Sequence, residues 1–213
     1  MSAWDSESTP PGLAAFAEAV RAAFRLGEDD IRLKGDEEHT YGYHRSRNWI
    51  MVDGDGDDDY SVQHPLDQGG EGNWSAAVDI SLAPDRMTAV TGRLLAAARA
   101  ADPRLAAVRE FYGTVDGRTV TGWDSAYHRA VTADDTHLSH VHLSFYRSLA
   151  GADHADVLAV LTADDPAADP TPGADPAAEG PGPTAADVRA LAEALRPFVD
   201  AAVAAELARR LQR

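Results

Sequence analysis

The chain has 213 residues, 44% of them apolar, which is enough for one substantial core. Its formal net charge of −16 argues against nucleic acid and anionic membrane surfaces, whose phosphates would be repelled. Cysteine is absent, so disulfides and thiolate metal sites are excluded, and any transition metal must be held by histidine and carboxylate.

The opening "MSAWDSESTPPG" has no basic segment followed by an apolar one, and no apolar run approaches membrane-spanning length. The chain is therefore expected to be made soluble in the cytoplasm, without a Sec-type signal peptide. "GLAAFAEAVRAAFRLG" reads as an amphipathic helix ending at Gly27. "NWIMVDG" is expected to be a strand, and "WSAAVDISLAPD" a strand running into a turn. "DRMTAVTGRLLAAARAADP" is a helix stopped by Pro103. "AVREFYGTVDGRTVTGW" is a hairpin turning at Asp116-Gly117. "SHVHLSFYR" is a strand and "HADVLAVL" a short closing helix. Helices flanking a small, mostly antiparallel sheet make an α+β fold over residues 1–161.

Residues 162–183 hold six of the twelve prolines and almost no bulky apolar side chain, so they read as an extended linker. Beyond it, Val188, Leu191, Leu195, Phe198, Val199, Val203, Leu207 and Leu211 recur at helical spacing. They predict one amphipathic helix over 184–213. Such a helix has no core of its own. It can fold back on the body, but the length of the linker favours self-association or docking to a larger assembly.

The densest chemical signal is "HLSHVHLSF". Along this strand His140, His142 and Ser144 share one face, while Val141, Leu143 and Phe145 share the other. His-x-His on a strand aims two nitrogens into one cleft, and His137 lies just upstream, after Asp134 and Asp135. Surface histidines on an edge strand are the plainer reading. Asp79, a lone acid in the apolar "SAAVDISL", shares its face with the small Ala77 and Ser81. An unpaired charge there would cost several kcal/mol, roughly, so it must meet a metal, an arginine or backbone amides. His44, in "YGYHRSRNW", is a candidate third ligand.

At these residues the chain resembles the zinc peptidases of the D-alanyl-D-alanine carboxypeptidase and murein endopeptidase superfamily, which shares its fold with hedgehog proteins. The resemblance, closest to actinobacterial and phage peptidase-like proteins, covers about residues 38–147 through "GYH…DYSV…SAAVDISL…DDTHLSHVHLSF". It implies Zn²⁺ held by a histidine, Asp79 and His142, with His140 beside the metal and His137 as an active-site histidine. The family motif Ser-x-His-x-x-Gly-x-Ala-x-Asp places its first histidine where this chain has Gly72, and its glycine at Ser75. His44 must then supply the missing nitrogen from another loop, with His64 as the fallback; otherwise only two protein ligands remain.

The chemistry implied is hydrolysis of peptidoglycan stem peptides by a water polarised on the metal. His140 is the first choice of general base, with His137 or Asp135 as alternatives. Arg45 or Arg47 would face the oxyanion or a substrate carboxylate. Asp59 and Tyr60, in "DYSV", are expected to line the cleft. Trp74 and Trp123 are either stacking platforms or core. "DGDGDDDY" lacks the closing glutamate of an EF-hand and reads as a solvated acidic turn. Walls of Gram-positive cells are polyanionic, so a dedicated anchor would serve an acidic enzyme, which suits the C-terminal helix on a virion or injection particle. The rival expectations are a catalytically silent wall-binding or structural module of the same fold, and a cytosolic dipeptidase.

Overall fold

The computed structural model describes residues 7–35 and 39–163. The predicted linker beyond residue 163 and the predicted helix over 184–213 lie outside the described residues. The remainder is α+β. Six strands, β1 (Ile31–Arg32), β2 (Ala77–Ile80), β3 (Val108–Thr114), β4 (Val120–Asp124), β5 (Arg129–Val131) and β6 (Val141–Phe145), form one antiparallel sheet in the order β1-β2-β6-β3-β4-β5. Four helices accompany it: α1 (Pro11–Phe24), α2 (Arg47–Asp53), α3 (Pro84–Arg99) and α4 (Ala155–Thr162). None is long and apolar enough to cross a membrane.

Strand alternation divides the sheet into a core face and a polar face. Val78, Ile80, Phe111, Val141, Leu143 and Phe145 form the core with Leu13, Phe16 and Val20 of α1, Val90 and Leu94 of α3, and Val157 and Leu161 of α4. Each large apolar side chain buried there contributes roughly 1.5–3 kcal/mol. The opposite face carries Asp79, His142, Ser144, Glu110 and Tyr112. Its register sets Asp79 against His142, Ala77 against Ser144, Tyr112 against His142, and Arg32 against Asp79.

The helix ends follow from local chemistry. Proline opens α1 and α3, where its missing N–H is no loss. α1 stops at Phe24 rather than running to Gly27: Arg25 adopts a left-handed conformation (φ 57°), and the Leu26 N–H reaches back to the Arg21 carbonyl. Likewise α3 ends at Arg99, before Pro103, with Ala101 left-handed.

The largest correction concerns "NWIMVDG", which forms α2 and not a strand. The Ser46 hydroxyl accepts from the Trp49 N–H at 3.1 Å and caps the helix, whose backbone bonds then leave only Ile50 buried and Met51 and Val52 exposed. A short apolar run carries no period that separates helix from strand; the cap decided it. The hairpin at Asp116-Gly117 forms as expected. Gly117 sits at φ 69°, and Asp116 Oδ1 accepts from the N–H groups of Arg118 and Thr119.

Candidate metal centre

Three chain segments converge on the Asp79 carboxylate. β2 presents Asp79, β6 presents His142 directly opposite, and the turn before α2 brings in His44. Asp79 Oδ1 lies 2.8 Å from His142 Nδ1, 3.1 Å from His44 Nε2 and 3.5 Å from His140 Nε2. One ligand atom from each of His44, Asp79 and His142 lies within 4.8 Å of the others; the same holds for His137, His140 and His142.

His44 carries the clearest diagnostic. The residue is 5% exposed, and neither ring nitrogen makes a hydrogen bond. Its Nε2 is close to Asp79 Oδ1 but not aligned to donate to it. A buried imidazole with two idle nitrogens has lost its water without replacement, which costs about 1–3 kcal/mol per group. A buried imidazole nitrogen 3.1 Å from a carboxylate, without an aligned hydrogen bond, is a position a metal ligand can occupy.

Hydrogen bonds away from the centre hold the other rings. Ser144 Oγ meets His142 Nε2 at 2.8 Å. His140 Nδ1 lies 3.3 Å from Ser139 Oγ, and His137 Nδ1 lies 3.3 Å from the Asp134 carbonyl. Outer-nitrogen bonds of this kind fix ring orientation at metal sites.

The electrostatics suit ligation. Burial pushes the His142 ring down to about 4 against the pull of Asp79, so it is neutral near pH 7. Burial also lowers His140. For Asp79, burial alone would raise the carboxyl, but the adjacent His142 and His44 outweigh it and hold it well below the usual carboxylate range. A neutral imidazole and an ionised carboxylate are the forms a cation requires.

The centre opens into a cleft of about 1190 Å³. His137, His140 and Tyr60 line it, as expected, and so do Arg32, Tyr112, Tyr127 and Arg129. His64 also lines it but stacks on Tyr146 and takes the Leu66 N–H on Nδ1, so it belongs to neither ligand group. Gly72 lies away from the cleft, and a Cβ there would meet the Asn48 side chain at 2.3 Å. The position to which the resemblance would assign a ligating histidine is thus a glycine outside the cleft lining.

Four predicted site residues sit elsewhere. Arg45 is 2% exposed and turns under its loop to pair with Glu7, its guanidinium over Trp49. Arg47 donates to the carbonyls of Gln68, Gly69 and Gly70. Asp59 is buried as a structural acceptor for the N–H groups of Gly42 and Ser61. Asp135 is exposed, at the start of the short turn Asp135–Leu138, and does not line the cleft. Trp74 and Trp123 are absent from the lining too; Trp123 packs against the core and Trp74 against Gly151.

Sequence reasoning missed Arg109 and Glu110, both buried and both lining the cleft. A β-bulge between Val108 and Glu110 turns the Arg109 side chain onto the polar face, where it pairs with Asp124. Glu110 accepts from the hydroxyls of Tyr60 at 2.9 Å and Tyr112 at 3.1 Å. The available signal was the charged pair inside "AVREFYG", the same anomaly that marks Asp79. In comparisons with known proteins, no family model, curated protein or solved structure matches the chain.

Proposed function

We propose that the protein is a zinc-dependent peptidase acting on peptidoglycan stem peptides, with His44, Asp79 and His142 as the metal ligands. The observation that carries this reading is the convergence of three segments on Asp79, with both buried nitrogens of His44 lacking a hydrogen bond. The donor set, two imidazoles and one carboxylate, is the borderline nitrogen-oxygen mixture that zinc accepts, with a fourth position left for water. A zinc ion there would acidify that water and polarise the scissile carbonyl.

The chain's own residues divide the remaining work. His140, its Nδ1 held by Ser139 and its Nε2 turned to the centre, takes the proton of the attacking water and returns it to the leaving amine. Arg32, in register with Asp79 and lining the cleft, replaces Arg45 and Arg47 as the cation for an oxyanion or substrate carboxylate. Glu110, accepting from Tyr60 and Tyr112 and 3.8 Å from the Arg109 guanidinium, gives the floor a hydrogen-bonded polar network for the substrate's peptide groups. The stem-peptide assignment, and with it action at the cell wall from a virion or injection particle, rests on the sequence resemblance.

The rival is a silent wall-binding or structural module of the same fold, favoured by Gly72 where the family keeps a histidine. Metal analysis and digestion separate the two. The purified protein is expected to take up one zinc, the His142→Ala variant none, and the loaded protein to release new amine termini from muropeptides. A protein that binds zinc but cleaves no wall chemotype is the module; one that takes up no zinc at all overturns the metal reading.

A further inference from the structure

Resting on the metal reading above, the histidines around the centre point to more than one position for the ion. His137, His140 and His142 each have a ring nitrogen within 4.8 Å of the other two. The tautomers of two of them are fixed by their neighbours. A carbonyl oxygen only accepts, so His137 Nδ1, 3.3 Å from the Asp134 carbonyl, must carry the proton there. The Ser139 hydroxyl already donates to the Thr136 carbonyl at 2.8 Å, so it can only accept from His140 Nδ1. Both Nε2 atoms are then left as lone pairs.

The consequence at Asp79 is unusual. His140 Nε2, a lone pair, faces the carboxylate oxygen Oδ1 at 3.5 Å, acceptor against acceptor with no proton between them. His142 Nδ1 donates to the Asp79 carboxylate at 2.8 Å in the metal-free protein; a cation would take that nitrogen by moving the proton to Nε2, where Ser144 Oγ at 2.8 Å can receive it. With that proton moved, ring nitrogens of His137, His140 and His142 would offer three donors to a borderline divalent cation.

We propose that His137, His140 and His142 form a second seat for the divalent cation, overlapping the first at His142 and exclusive with it. His142 Nδ1 has a single lone pair, so one ion occupies one seat at a time. The first seat includes the Asp79 carboxylate and holds the ion more tightly; the second lacks an anion and is weaker. An ion in the second seat also occupies His140 Nε2, the lone pair assigned to the general base, so that seat is hydrolytically silent. The pair of seats regulates the centre through where the ion sits.

The test is Co²⁺ titration of the full chain, followed by calorimetry and visible absorption. The double variant His44→Ala/Asp79→Ala removes everything unique to the first seat. It is expected to bind one Co²⁺ more weakly than the wild type, and to lose that binding when His137→Ala is added. If the double variant melts like the metal-free wild type yet takes up no Co²⁺ while the wild type does, the second seat is overturned and the first stands. A wild type that binds no Co²⁺ overturns both. Should the double variant fail to fold, His44→Gln/Asp79→Asn, which keeps side-chain shape, takes its place with the same outcomes.

Discussion

Two buried polar clusters share the same face of the sheet, and they are built on opposite principles. Around Arg147, every visible contact matches a donor to an acceptor. Its guanidinium reaches the carbonyls of Gly42, Arg45 and Ser61 and the Ser61 hydroxyl, while its N–H binds Asp67, which also accepts from the Tyr43 hydroxyl. Around Asp79, His142 Nδ1 is hydrogen-bonded to the carboxylate at 2.8 Å, but neither ring nitrogen of His44 has a hydrogen-bond partner. The first cluster is self-sufficient and pins the loops that frame the cleft. The second leaves buried ring nitrogens without hydrogen bonds, which is why the proposed cation is placed there.

That contrast can be broken most forcefully at Arg147. Arg147→Met strands several buried carbonyls and should lower stability by on the order of 3–5 kcal/mol, read as a shift in the urea midpoint. The loss should be the same with and without zinc; rescue by zinc would merge the two clusters into one. His44→Phe should behave in the opposite way. It keeps a ring and deletes two buried nitrogens without partners, so the metal-free protein should gain stability, on the order of 1–3 kcal/mol or more. The stabilisation by zinc, about 2.7 kcal/mol at a hundredfold excess over Kd, should shrink sharply. An unchanged zinc response would remove His44 from the ligand set.

Acid sharpens the comparison further. The folded His142 titrates at about 4, below its ordinary 6.5, so as pH falls the unfolded chain takes up the proton first. Stability of the metal-free protein should drain between about pH 6.5 and 4, and His154, buried between Phe16 and Phe145 with its pKa also lowered by burial, acts in the same sense. The depressed Asp79 adds a further loss below its ordinary 3.8. Denaturation midpoints that stay flat from pH 7 to 4.5 would contradict the burial of these rings as neutral groups. The smallest effect is expected at Asp135: Asp135→Asn should alter zinc affinity and hydrolysis by no more than about twofold, as for a surface change. A larger loss in either would return it to the site.

Much of the centre was legible because its residues violate their surroundings. Asp79 is a charge in an apolar strand, and His140 and His142 are imidazoles alternating with core residues. What the sequence could not supply was the pairing that sets Asp79 against His142, since register joins segments 63 residues apart. The arginines failed for a related reason. Arg45 and Arg47 are neighbours of His44 in sequence, but the turn and α2 send them to Glu7 and to the carbonyls of 68–70. Arg109 and Glu110 were hidden by a bulge, which breaks the alternation that strand reading depends on. α2 was misread because a single serine cap outweighed a β-favouring run.

The glycine at position 72 has a further bearing on how the proposed centre would acquire an ion. A histidine seven residues from Asp79 would give even a nascent, unstructured chain a local chelating pair. Here that position is Gly72, and the partners of Asp79 arrive only when the loop bearing His44 and the strand bearing His142 have docked. Any ion held at the proposed centre would therefore be captured after assembly of the sheet, by the mature fold rather than the emerging polypeptide.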